Sequence, residues 1–242
     1  MIIGGLEKLT LLDYPDHLAA IIFTQGCNFR CHFCYNPMLV LPRRGADTKN
    51  TKKEKGFSLL STKDLFLFLK SRIGRLEGVV ITGGEPTLHA DLPSFIKKIK
   101  ALGYLVKLDT NGTDSVMLER LIKDKLIDYI AMDLKAPWDK YEATVGQKVS
   151  CPNLRKSVKI IMMSGLPYEF RTTVVPGLLE AADIEKMGQA IKGADKWYLQ
   201  KFKSDTALVD AGFEGGQAYT DQEMKALAAQ GGKYVKLCAL RA

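Results

Sequence analysis

The sequence predicts an α/β fold of mainly parallel strands, a partial (β/α)6 barrel of the TIM type, and three observations predict it. Segments rich in β-branched and aromatic residues alternate with amphipathic, helix-like segments along the chain. The connections between them are short, and no Pro/Gly/Ser-rich linker divides them. The chain has 242 residues, whereas a closed eight-unit barrel takes about 250 with little to spare for loops. Residues 1–242 are therefore read as one domain built on an incomplete barrel.

The first strand is read at 18–24 (LAAIIFT). A helix at 61–73 (STKDLFLFLKSRI) and a strand at 78–82 (GVVIT) follow. The helix at 91–102 places Leu92, Phe95, Ile96, Ile99 and Leu102 on one face and its lysines on the other. The strand at 104–109 (YLVKLD) leads through a turn to a helix over 114–126, capped near Asp114. Strands at 128–133, 168–175, 196–202 and 233–239 complete the alternation with helices at 153–164, 180–192 and 220–230. About six βα units result.

Four of these strands end in unusual polar turns. Cysteines follow the first, TGGEPT the second, DTNG the third and DLKAP the fourth. In parallel α/β sheets the C-terminal strand ends share one face, where ligands bind. Motifs distant in sequence are thus expected around one pocket.

Lys and Arg outnumber Asp and Glu by 35 − 27 = 8, and half of that excess lies in residues 41–56. There Arg43, Arg44, Lys49, Lys52, Lys53 and Lys55 face only Asp47 and Glu54. The stretch reads as a solvated loop or as a docking surface for an acidic partner. No aromatic residue interleaves its charges before Phe57, which argues against a nucleic-acid groove. No apolar run is long enough to span a membrane, and MIIGGLEKLTLLDYPDH lacks the basic start and apolar stretch of a signal peptide. A cytoplasmic location is expected. The odd count of five cysteines then points to metal chemistry rather than disulfides, with the isolated Cys151 and Cys238 assigned to packing.

The loop over 24–37 carries CNFRCHFCYNP, with Cys27, Cys31 and Cys34 spaced C-x3-C-x2-C and no fourth cysteine. Soft thiolates suit zinc or an iron–sulfur cluster. One reading is a [4Fe–4S] cube held at three corners with one iron open; the other is a Cys3His zinc site that recruits His32. TGGEP, Thr82 to Pro86, offers bare backbone and the Glu85 carboxylate to a ligand ammonium group. Taken singly, TGGEP and DTNG are also ordinary turns, and Asp133 with Lys135 an ordinary ion pair.

Together TLLDYP, IIFTQGCNFRCHFCYNP, TGGEPTLH and RTTVVPG resemble the radical S-adenosylmethionine (SAM) enzymes, and within them the activating enzymes of glycyl radical enzymes. The activating proteins of anaerobic ribonucleoside-triphosphate reductase are the most similar group, and the resemblance covers nearly the whole chain. It implies Cys27, Cys31 and Cys34 as ligands of a [4Fe–4S] cluster whose fourth iron takes the amino and carboxylate groups of SAM. It implies Gly83, Gly84 and Glu85 as the motif receiving the SAM amino group. Asp109, Thr110 and Asp133 match positions that help hold a monovalent cation beside the SAM carboxylate, and Asn111 lies in the same turn. Lys135 and Arg171 match positions contacting SAM's polar groups, and Gln200 a position near its nucleoside. Phe33 and Tyr35 either line the adenine pocket or pack in the core.

The chemistry so implied is reductive: an electron from a flavodoxin- or ferredoxin-type donor cleaves SAM, and the 5′-deoxyadenosyl radical takes a hydrogen atom from a glycine Cα of a partner enzyme. It needs no side-chain base, in keeping with a chain whose only histidines are His17, His32 and His89. Two other readings stand beside it. One is a radical SAM enzyme acting on a small molecule, as deazaguanine-forming enzymes do, and the other is a non-catalytic iron–sulfur or zinc module.

Overall fold

The computed structural model describes residues 1–40 and 59–241. Its strands are β1 (Ile3–Thr10), β2 (Ala19–Thr24), β3 (Gly78–Gly83), β4 (Leu105–Thr110), β5 (Tyr129–Asp133), β6 (Tyr168–Val174), β7 (Lys196–Lys201) and β8 (Leu237–Arg241). They form one sheet whose spatial order is the order of the sequence. Every neighbouring pair from β2 to β8 is parallel. Helix α1 (Pro37–Val40) is a single turn after the cysteine loop, in the same crossover as α2 (Thr62–Ser71), and α3 (Leu92–Lys100) and α4 (Ser115–Lys123) lie in the next two crossovers. The short α5 (Tyr141–Val145) and α6 (Cys151–Met163) join β5 to β6, α7 (Ala181–Ala190) joins β6 to β7, and α8 (Asp221–Gly231) joins β7 to β8. Six βα units run from β2 to α8, and β1 and β8 stand at opposite edges, so the barrel is incomplete, as expected.

Two elements differ from the sequence reading. Strand β1 pairs antiparallel with β2, from Ile3 opposite Thr24 to Thr10 opposite Ala19, although IGGLEKLT has no β-branched run. Its place comes from the edge that β2 offers, not from local propensity. The last strand starts at Leu237 rather than 233. The Tyr234 ring lies against Gly188 of α7, and its carbonyl accepts from Gly193 N at 2.8 Å, which keeps the preceding residues off the ladder. The basic stretch 41–56 lies outside the described residues. Among the described residues no helix is long and apolar enough to cross a membrane.

Strand periodicity divides the interior into two environments. Val79, Ile81, Val106, Leu108, Ile130, Met132, Phe170 and Leu199 point outward and join Leu69, Ile96, Ile99, Leu118 and Ile161 of the helices in one core. Each such side chain contributes about 1.5–3 kcal/mol by burial. The alternate residues face into the barrel. There Ile21, Val80 and Tyr129 form a small apolar cluster with Tyr14, from the connection between β1 and β2. On the later strands inward positions become polar: Lys107, Asp109, Asp133, Glu169 and Arg171. Glu169 is wholly buried, accepts from Tyr129 Oη at 2.9 Å and is gripped by Arg241, which ties β8 across the interior to β6. Cys151 and Cys238 are partly buried against the main core, so their assignment to packing holds.

Candidate functional site

The three cysteines sit on the loop that leaves β2, and backbone bonds fix that loop on several sides. Gly26 N donates to Leu39 O at 2.7 Å and Cys27 N to Val40 O at 3.2 Å, joining its start to α1. Arg30 N donates to Val145 O of α5 at 2.8 Å, while its guanidinium donates to the carbonyls of Cys27 and Phe29, both at 2.7 Å. Cys34 N donates to Cys31 O at 3.1 Å and closes a turn between the second and third cysteines. From beyond β7, Val209 N donates to Cys34 O at 3.0 Å and Asp210 N to His32 O at 3.1 Å. Phe29 and Phe33 are buried and anchor the loop in the core.

The thiols so placed face a cavity of about 250 Å³. Its wall contains Cys27, Cys31 and Cys34, then Gly83 at the end of β3 with Gly84 and Glu85 after it, and Asp109, Thr110 and Asn111 at the end of β4. Asp133 and Lys135 come from β5 and the residues after it, Arg171 from β6 and Gln200 from β7, with Phe33 and Tyr35 also in the wall. The structure thus brings all of the sequence-predicted site residues together. None of the three histidines lines this cavity. His32 pairs through Nδ1 with Asp210 at 2.9 Å and stacks on Phe213, and it does not line the cavity with the three thiols, so no Cys3His set gathers among the described residues.

The donor set decides what group fits. Among the described residues, no three or more His, Cys, Asp or Glu gather around a point where a single ion would sit. Three soft thiols spread along one cavity wall instead suit three corners of an iron–sulfur cube. Burial pushes the Cys27 thiol up to about 11 and the Cys31 thiol up to about 12, with Lys135 opposing the rise at Cys31. Metal ligation must therefore drive their deprotonation.

The turn after β3 packs directly on the cysteine loop. Gly83 has φ of +116°, and a Cβ there would lie 2.3 Å from Thr24 N. A Cβ on Gly84 would lie 2.0 Å from Gly26 O, so both positions require glycine. Glu85 takes a part that its motif did not suggest. Its carboxylate is wholly buried. Oε1 accepts from Thr87 N at 3.0 Å, Thr87 Oγ1 at 2.5 Å and Thr110 Oγ1 at 2.8 Å, and Oε2 from Asn111 N at 2.6 Å. It braces the turn after β3 against the end of β4, leaving the glycine backbone as the surface presented to a ligand.

Across β4, β5 and β6 runs a row of alternating charges. Lys107 Nζ lies 2.5 Å from Asp109 Oδ1, and Arg171 Nη1 lies 2.9 Å from Asp109 Oδ2. Arg171 Nε lies 2.9 Å from Asp133 Oδ1, and Lys135 Nζ lies 3.2 Å from Asp133 Oδ2. Burial opposes ionisation of both aspartates. The cations outweigh it, lowering Asp109 and holding Asp133 at about 2, while the two carboxylates keep Arg171 firmly charged. Ala131, buried on β5 opposite Asp109, leaves room for the arginine to reach over it from β6 to β4. Each of the four carboxylate oxygens thus has a side-chain cation beside it.

Sequence reasoning passed over Lys107, Asn28 and Asp13. Asn28 Oδ1 accepts from Asn111 Nδ2 at 2.8 Å and its Nδ2 donates to Thr113 Oγ1 at 2.9 Å, tying the cysteine loop to the DTNG turn. Asp13 lines the cavity from the TLLDYP segment. Lys107 lies on the inward face of β4, two residues before Asp109.

A model of the Radical SAM superfamily matches residues 21–189. The chain is 32% identical to a Methanocaldococcus jannaschii protein provisionally named a glycyl-radical enzyme activating enzyme, across 99% of this chain and 95% of that one. It is 26% identical to the pyruvate formate-lyase-activating enzyme of Streptococcus mutans, across 79% of this chain and 72% of that one. In fold it is similar to Streptococcus suis SuiB bound to S-adenosylmethionine, with a TM-score of 0.66 at 16% identity over 92% of this chain and 50% of that one.

Two outcomes test this geometry. Gly84→Ala is expected to lose iron after anaerobic reconstitution, since the methyl group displaces Gly26 next to Cys27; a wild-type iron content would contradict the packing of the two turns. Asp133, with a folded-state pKa of about 2, contributes stability that is fully present above about pH 4 and lost as the pH falls through its folded value. Acid unfolding followed by circular dichroism should therefore be shallower over that window in Asp133→Asn than in the wild type, and superimposable curves would remove Asp133 from the ion row.

Proposed function

The chain belongs to the radical SAM superfamily, and from that premise we propose that it activates a glycyl radical enzyme, with an anaerobic ribonucleoside-triphosphate reductase as the partner. The observation that carries the reading is the gathering of three thiols and the polar strand ends around one cavity, in a chain similar along nearly its whole length to a protein provisionally named such an activase. The SuiB likeness supports the fold alone.

In this reading Cys27, Cys31 and Cys34 hold a [4Fe–4S] cluster, and the backbone of Gly83 and Gly84 receives the SAM amino group. Arg171 and Lys135 attract the SAM carboxylate. The row contains three cations against two aspartates, an excess of one positive charge suited to that anion. Thr110 and Asn111 act through Glu85 to keep the glycine turn in place, and Gln200 faces the nucleoside. When bound, the cluster supplies the electron that breaks the S–C5′ bond of SAM, which leads to loss of a hydrogen atom from the partner's glycine Cα. Phe29 and Phe33, buried beside the cysteines, keep water from that chemistry. A flavodoxin- or ferredoxin-type protein serves as electron donor.

The deciding experiment is anaerobic electron paramagnetic resonance of the reconstituted, reduced protein with SAM and with a purified anaerobic reductase. A cluster signal that shifts on adding SAM, followed by a glycyl radical doublet on the reductase, is expected. Cys27→Ala, Cys31→Ala and Cys34→Ala should each abolish SAM cleavage. A cluster signal indifferent to SAM, or full turnover in any of the three variants, would defeat the reading. SAM cleavage with no doublet on the reductase would dismiss that partner.

A further inference from the structure

The innermost charge of the row belongs to none of the motifs. The Lys107 side chain has no exposure, its Nζ sits 2.5 Å from Asp109 Oδ1, and it lies 5.7 Å from the centre of the Tyr129 ring. Enclosed on the inward face of β4, two residues before Asp109, it reaches up one layer of the barrel and has no path to solvent or ligand.

We propose that Lys107 is a built-in cation that takes the place of a bound monovalent ion beside Asp109, Thr110 and Asp133, and so positions Arg171 for the SAM carboxylate. The inference rests on the radical SAM reading above and deepens it. Three observations carry it. Each oxygen of Asp109 and Asp133 already has a side-chain cation within 3.2 Å. The Thr110 hydroxyl, the remaining side-chain candidate, donates to Glu85 and accepts from Gly112 N at 3.1 Å. Arg171 and Lys135 line the cavity, whereas Lys107 does not reach it and is paired with Asp109 from below. A tethered ammonium requires no binding equilibrium and is indifferent to the salt composition of the medium. Lys107 is a positioning residue: it acts on SAM through Asp109 and Arg171.

The test is equilibrium dialysis of SAM against the reconstituted protein in potassium, sodium or tetramethylammonium chloride at equal ionic strength. Wild-type affinity should agree within about twofold across the three salts, since no ion has to bind. Lys107→Met leaves Asp109 short of one charge partner, and SAM should bind it about tenfold or more weakly in tetramethylammonium, with recovery in potassium or sodium. A role in folding alone would not give that selective rescue by small cations. A wild-type protein that loses about fivefold or more in tetramethylammonium would overturn the proposal by revealing an ion site. So would a folded Lys107→Met protein with the wild-type salt profile. If that variant fails to fold, the wild-type comparison still decides. Absence of SAM binding by the wild type in every salt would instead strike the radical SAM reading itself and take the proposal with it.

Discussion

Arg171 suspended between Asp109 and Asp133 is the interaction on which the site depends. A buried arginine with no partner costs several kcal/mol, and so does each buried carboxylate. Placed in alternation on three neighbouring strands, they cancel one another's cost. The strands lie about 4.8 Å apart, so an arginine can span two intervals only where the residue between is small, and Ala131 is that residue. Asp133 stands directly opposite Arg171 in the register of β5 and β6. The row thus reads the alignment of the sheet: a shift by one residue would turn these side chains toward the helices, where no charge is answered.

Glu85 serves the same end by different means. Four donors from two turns converge on a carboxylate with no exposure, which makes the end of β3 and the end of β4 a single unit. Through Gly84 and Gly26 that unit touches the cysteine loop, and through Asn28 and Asn111 it touches it again. The cavity wall is accordingly braced through its backbone at the glycine turn, and Lys135 and Gln200 join it from later in the chain.

Much of this was legible in the sequence, for a physical reason. Strand ends that carry cysteines, paired glycines, carboxylates and amides are poor material for packing, so their recurrence after successive apolar runs marks a shared face. The incomplete barrel followed from the alternation and the chain length. Strand β1 was not legible, because IGGLEKLT has neither alternation nor a β-branched run and owes its form to the edge beside it. The start of the last strand was misread because an aromatic ring, Tyr234, packs on a helix instead of joining the sheet. Lys107 was taken as an ordinary residue of its strand; nothing local told whether its face met solvent or the barrel interior. The inward turn of Glu85 also depends on partners from another segment, and no pattern within TGGEP reveals it.

The latch on the cysteine loop has a bearing on how the protein is made. His32 and Asp210 are 178 residues apart in the chain, yet they bond side chain to side chain and also through the Asp210 amide. The three cysteines leave the ribosome well before the segment that contacts their loop. Until that segment arrives, the loop lacks the bonds that Val209 and Asp210 make to it. The loop thus reaches its finished shape only once that later segment has been made and has docked on it.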